Sequence, residues 1–182
     1  MNTELFIPKT AEEMKKVEDL LLIHCGDQIR DVWRLGMLLG CRINELLQVK
    51  FSDLNGDTLQ IQFSKTRQNS ISNIHLTPKA KEIILNIKKQ YPQDKFVFQS
   101  RNSRNIKNRE PKPISRQAVY EAFKKVGDDL SVKFTPHSMR HAAALQLFAN
   151  FNSSSGISNF IGSSKFATEA LTSYYINSKD RE

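Results

Sequence analysis

The hydrophobic period changes twice along this chain, and that pattern leaves few folds open. Before Leu54 the apolar residues recur at helical spacing. Met14, Val17 and Leu21 follow a Thr10–Glu13 capping pattern, the largely apolar "QIRDVWRLGMLL" ends at Gly40, and "CRINELLQVKF" restarts as a helix. From Leu54 the period falls to two. "DTLQIQF" sets Leu59, Ile61 and Phe63 against polar neighbours, and "ISNIHL" repeats this less regularly with Ile71, Ile74 and Leu76. The polar "SKTRQN" between them completes a hairpin. Helical spacing then returns. Thr77-Pro78 and Thr135-Pro136 each put a capping residue before a proline at the first helical position, "ISRQAVYEAFKKV" is a helix, and "ISNFI" and "ATEALTSYYI" make two more. "FVF" reads as a short strand, and Trp33 as a core residue. The expected fold is mainly α with one small antiparallel β-sheet, an α+β domain.

A chain of 182 residues forms one well-packed domain, so 1–182 is taken as a single unit with 177–182 as a short C-terminal tail. Its net charge of +8 points to a polyanionic partner, nucleic acid first. The basic loop "QSRNSRNIKNREPKP" carries Arg101, Arg104, Lys107, Arg109 and Lys112 against the single acid Glu110, and Arg67 adds a cation in the hairpin. Such residues suit contact with DNA phosphates, although a solvated connector has the same composition. The two cysteines, Cys25 and Cys41, form no CxxC pair and no Cys/His cluster has zinc spacing, so neither a metal nor a disulfide framework is expected. No basic leader and no membrane-length apolar run occurs, which gives a cytoplasmic expectation with no membrane partner.

Three short segments carry the chemistry. In "TPHSMRH", His137 and Arg140 stand three apart on a helix and share a face near its N-terminus, where anions are favoured. In "GCRINELLQV", Arg42 and Glu45 have the same spacing, so the carboxylate can orient the guanidinium. In "FSKTRQN", Lys65 lies near the hairpin tip. Each fragment alone also reads as ordinary surface: a basic pair, an intrahelical ion pair, a turn lysine. His24, His75 and His141 read as structural or incidental.

The order Arg-x-x-Glu, hairpin Lys-Thr, His-x-x-Arg and near-terminal Tyr resembles the tyrosine recombinase (phage integrase) family. "LLGCRINELLQVKFSDL" is similar to that family's first-arginine box and "HSMRHAAALQLFAN" to its second, and the resemblance runs from about Thr10 onward. It implies the family's catalytic-domain fold. It also implies Arg42 and Arg140 as clamps on the scissile phosphate, Lys65 as general acid for the leaving 5′ oxygen, His137 as acid/base or hydrogen-bonding partner, and Glu45 in support. The nucleophile would be a closing tyrosine. Tyr175 is preferred over Tyr174 because "TSYY" fits the family's Thr-x-hydrophobic-Tyr with Thr172 first. Adjacent helical residues point about 100° apart, so both cannot enter one site.

The chemistry agrees with these roles. Attack on a phosphodiester adds negative charge to its non-bridging oxygens, which preformed guanidinium forks stabilise without a metal or other cofactor. A phenol with a pKa of about 10 needs neighbouring cations and a base to react at neutral pH. Double-stranded DNA is the implied partner, bound by a homo-oligomer, a tetramer on paired sites. The implied reaction is cleavage and rejoining through a 3′-phosphotyrosyl intermediate.

The sequence departs from the pattern twice. Ser163 of "FIGSSKF" stands where the family has His or Trp, and the approach to the tyrosines is two or three residues longer than usual, the usual spacing landing on Thr172. The resemblance is to short, single-domain members without an N-terminal core-binding domain, or to a fragment. A DNA-binding protein of the same fold with weakened or lost strand transfer is the alternative, and a relaxing enzyme of the type IB topoisomerase kind is a third reading.

Overall fold

The computed structural model describes residues 5–63, 70–101 and 110–151. In chain order these form α1 (Ala11–Cys25), α2 (Asp27–Leu39), α3 (Ile43–Leu47), a single 3₁₀ turn (Phe51–Asp53), β1 (Leu54–Asn55), β2 (Thr58–Phe63), β3 (Ser70–His75), α4 (Pro78–Gln90), α5 (Arg116–Asp129) and α6 (Pro136–Phe151). The mainly helical expectation with one antiparallel sheet holds.

The helix starts form as their sequences dictate. At α1 the Thr10 hydroxyl accepts the Glu13 N–H at 3.1 Å while the Glu13 carboxylate accepts the Thr10 N–H, also at 3.1 Å. Thr77 caps α4 by accepting the Ala80 N–H. At α6 the Thr135 hydroxyl accepts the His137 N–H at 3.3 Å, and the Ser138 hydroxyl accepts the Thr135 N–H at 3.2 Å. Gly40 ends α2 at φ +60°, a left-handed conformation that glycine adopts without penalty.

The sheet is three-stranded in the order β1-β2-β3, one strand more than the period of two indicated. β1 pairs Leu54 with Leu59 and Asn55 with Thr58 around a tight Gly56-Asp57 connection, Gly56 having φ +60°. Asn55-Gly56 is itself a strong hairpin signal, and two residues are too few to display alternation. Across β2 and β3, Leu59 faces Ile74 and Ile61 faces Ser72. Ile71 pairs with Gln62 on the other face and is 66% exposed, which explains the irregular alternation of β3.

"FVF" is not a strand. Phe96, Val97 and Phe98 are all buried, and the segment's backbone bonds split between two partners: the Val97 N–H donates to the Val49 carbonyl and the Ile114 N–H to the Phe98 carbonyl. Burial on every side, not a ladder, defines it.

The core is centred on Trp33 of α2. Its ring lies 6.1 Å from Phe123 of α5 and 5.5 Å from Phe134, and Phe123 and Phe134 stack at 5.0 Å. Phe134 lies two residues before Pro136, the first residue of α6, so this cluster fixes where α6 begins. Farther along, a β-carbon on Gly36 of α2 would lie 2.2 Å from Met139 Sδ. Only a residue without a side chain lets α6 cross α2 this closely, and Met139 is next to Arg140.

Candidate active site

Among the described residues the site is assembled from two places in the chain: the junction between α2 and α3, and the first turns of α6. After Gly40 turns the backbone, Cys41 is buried and Arg42 is extended at the N-terminus of α3. Glu45, at the third helical position, reaches back. One carboxylate oxygen accepts the Arg42 backbone N–H at 2.8 Å, and the other accepts the Arg42 guanidinium at 3.1 Å. The Glu45 side chain is 1% exposed and that of Arg42 is 26% exposed, so the guanidinium is held from below and open above. The i, i+3 spacing in the sequence thus becomes a rigid, charge-assisted pair.

Arg140 of α6 lies within electrostatic reach of the same carboxylate. Burial and the facing Arg42 guanidinium lower its pKa, with Glu45 and Cys41 acting in the opposite sense. The Cys41 thiol is pushed up to about 12, by burial first and by Glu45 next, with Arg140 opposing. It is a neutral thiol at physiological pH. The two guanidinium groups and the buried carboxylate therefore feel one another's charge, and positive charge is in excess among the described residues of this cluster. Such a cluster suits a phosphodiester, whose oxygens accept paired guanidinium donors.

His137 is exposed on the first turn of α6, three residues before Arg140. His141, expected to be incidental, belongs to the same neighbourhood. It is half-buried, its Nδ1 is buried with no hydrogen-bond partner among the described residues, and its pKa is lowered by burial, then by His137 and Arg140. It is a neutral imidazole at neutral pH. The i, i+4 spacing from His137 was the available signal.

Of the DNA-contact expectations, Lys112 is exposed. Arg101 is tied down: Asp94 takes its Nε at 2.8 Å and its Nη2 at 2.6 Å, and its guanidinium lies 3.2 Å from the centre of the Tyr91 ring. Asp94 also accepts from Gln99, whose side-chain oxygen accepts the Lys95 N–H. Arg101 anchors the root of the basic loop within a local network. Lys65, Arg67, Arg104, Lys107, Arg109, Ser163, Tyr174 and Tyr175 lie outside the described residues. The hairpin arms flanking Lys65 and Arg67 are paired up to Phe63 and Ser70. Among the described residues no group of three or more His, Cys, Asp or Glu could hold a metal ion. None of their helices is long and apolar enough to cross a membrane.

The model of the phage integrase family matches residues 13–182. The chain is 24% identical over 161 residues to the tyrosine recombinase XerD of Staphylococcus saprophyticus, covering 86% of this chain and 53% of that protein. It is 28% identical over 149 residues to the tyrosine recombinase XerA of Pyrococcus furiosus, covering 78% and 48%. Among solved structures, a lambda integrase tetramer bound to a Holliday junction superposes with a TM-score of 0.71 at 18% identity, covering 94% of this chain and 49% of that one. The chain spans between 33% and 53% of the length of the curated relatives it matches.

Proposed function

The chain belongs to the phage integrase family, whose model spans residues 13–182, and we propose that it breaks and rejoins double-stranded DNA at specific sites through a 3′-phosphotyrosyl intermediate. The observation that carries this reading is the charge cluster of Arg42, paired with the buried Glu45 carboxylate at 3.1 Å, and Arg140 of α6, which feels the charge of both. That geometry is preorganised for a group whose negative charge grows during reaction. In this reading the tyrosine hydroxyl gives up its proton to a base, with His137 the candidate, its oxygen attacks the phosphorus, the 5′ oxygen leaves, and Lys65 protonates that oxygen. His137 donates to or exchanges a proton with the phosphoryl oxygens. Tyr175 is the nucleophile and Tyr174 the second choice. The phosphotyrosine linkage conserves the energy of the broken bond, so rejoining needs no ATP.

Contacts to DNA phosphates are assigned to Lys112, Arg67, Arg104, Lys107 and Arg109, with Arg101 in a supporting role. A homotetramer on paired sites is the proposed assembly, supported by the tetrameric state of the similar lambda integrase structure. The free thiols Cys25 and Cys41 suit a reducing compartment such as the cytoplasm.

A nicked suicide duplex tests the reaction. Wild-type chain is expected to form a denaturant-resistant protein–DNA adduct that disappears in Tyr175→Phe and falls by about 100-fold or more in Arg140→Ala. Loss in Tyr174→Phe alone reassigns the nucleophile. Ser163, in place of the family's His or Trp, favours a second reading, a DNA-binding protein without strand transfer. Tight, specific binding with no adduct from any variant would establish that one instead.

A further inference from the structure

The polar edge of α6 carries three groups, and the strand-transfer reading uses two of them. His137, Arg140 and His141 stand at i, i+3 and i+4, so they share one face of the helix. Ser138, Met139, Ala142 and Ala143 occupy the opposite face and are buried. His141 lies at the margin between the two faces and is half-buried.

The two nitrogens of its ring stand in different surroundings. Nδ1 is closed off from solvent and has no hydrogen-bond partner among the described residues, whereas Nε2 is not enclosed in this way. The ring therefore turns one nitrogen to the packed side and keeps the other for a partner. Burial, then His137 and Arg140, lower its pKa, so at neutral pH the ring is uncharged and carries a single proton. A sealed N–H without an acceptor forfeits a donor that water would otherwise satisfy. That proton accordingly belongs on Nε2.

We propose that His141 is a further catalytic residue, an uncharged hydrogen-bond donor whose Nε2–H meets a non-bridging oxygen of the phosphodiester held by Arg42 and Arg140. This rests on the strand-transfer reading above. A third cation on this face would be opposed by Arg42 and Arg140 together, while a neutral imidazole adds a donor without adding charge. Negative charge grows on the phosphoryl oxygens during attack, so a donor fixed there acts more strongly in the transition state than before it. A ring kept neutral donates its hydrogen bond without giving up the proton. His141 thus differs from His137: no proton leaves it, and the tyrosine proton still passes to His137.

The rate of adduct formation on the nicked suicide duplex, in single turnover at saturating protein, tests this role. His141→Ala is expected to react about 100-fold more slowly than wild type while binding the duplex equally well. Glutamine places an amide N–H near the position of Nε2–H, so His141→Gln is expected to recover about tenfold of that loss. Asparagine offers its amide near Nδ1 and phenylalanine offers a ring without a donor, and both variants are expected to stay as slow as His141→Ala. A residue that only packs gives the reverse order, with His141→Phe near wild type and His141→Gln slow, and that order would overturn the proposal. Far-UV circular dichroism and duplex affinity check that each variant folds. Imidazole nitrogen NMR of the wild-type chain at neutral pH, with the His141 signals assigned through His141→Gln, is expected to place the proton on Nε2. A proton on Nδ1 overturns the proposal whatever the variants do. Wild-type rates in His141→Ala overturn the role of His141 and leave strand transfer intact, whereas a wild-type chain that binds duplex and forms no adduct overturns both readings.

Discussion

Arg42 and Glu45 form an ion pair whose two ends stand in different surroundings, the carboxylate sealed and the guanidinium partly open. Losing one partner therefore differs from losing the other. Arg42→Ala strands a buried carboxylate, and the expected destabilisation is about 3 kcal/mol, the lower part of the range for a broken buried pair because Arg140 remains nearby. Glu45→Gln leaves a guanidinium that water can reach, so it should cost less stability while lowering adduct yield through misplacement of Arg42. Urea denaturation beside the suicide-substrate assay separates the two effects. His141 gives a pH prediction. Its pKa in the folded chain lies below the ordinary 6.5, so between those two values the unfolded chain binds more protons than the folded one. Stability is constant with respect to this group above about pH 6.5 and falls as the pH drops toward the depressed folded value. Denaturation at pH 7.5 and at pH 5.5 should show a smaller loss in His141→Gln than in wild type.

At the scale of elements, the position of α6 decides whether Arg140 reaches the cluster. Gly36 permits the crossing, and Gly36→Ala brings two opposed effects. Alanine favours the helix by about 1 kcal/mol, while its methyl group drives into Met139, whose tail is flexible but fully buried. With overpacking costing roughly 1–3 kcal/mol, the expected net effect is a destabilisation of about 1 kcal/mol. The shorter side chain in Gly36→Ala/Met139→Val should recover stability, as read from urea midpoints. Adduct formation should track the pair of positions even though both are buried. Local signals told most of these elements in advance: both Thr-Pro helix starts, the α1 capping box and the Gly40 stop depend on neighbours in sequence. β1 was not legible, because two residues carry no period and only Asn55-Gly56 marked the turn. "FVF" was misread because its backbone hydrogen bonds go to Val49 and Ile114, which lie elsewhere in the chain.

For the whole molecule, the net charge of +8 implies that, in the proposed role, affinity for DNA is a function of salt. The logarithm of the association constant is expected to fall linearly with the logarithm of salt, by about 0.9 per phosphate contacted, and titrations from low to physiological ionic strength measure it. Arg101→Ala should change that slope little, since Asp94 and Tyr91 already hold its charge, whereas Lys112→Ala should reduce it. Composition could count both as cations of one loop, but it could not tell a committed guanidinium from an available ammonium. The same division runs through the molecule. The sequence by itself determined the helix starts after Thr10, Thr77 and Thr135, the stop at Gly40, the hairpin, the family boxes and the residue types that could hold a phosphate, because each follows from periodicity, capping and spacing over a few residues, whereas "CRINELLQVKF" is helical only over Ile43–Leu47 and "ISNFI" and "ATEALTSYYI" lie outside the described residues. Tertiary structure alone decided that Arg140 stands within electrostatic reach of the Arg42–Glu45 pair, that His141 is half-buried, and that Arg101 is an anchor. Those facts depend on how closely α6 crosses α2 and on which residues burial removes from water, and both are set by contacts between residues far apart in the chain.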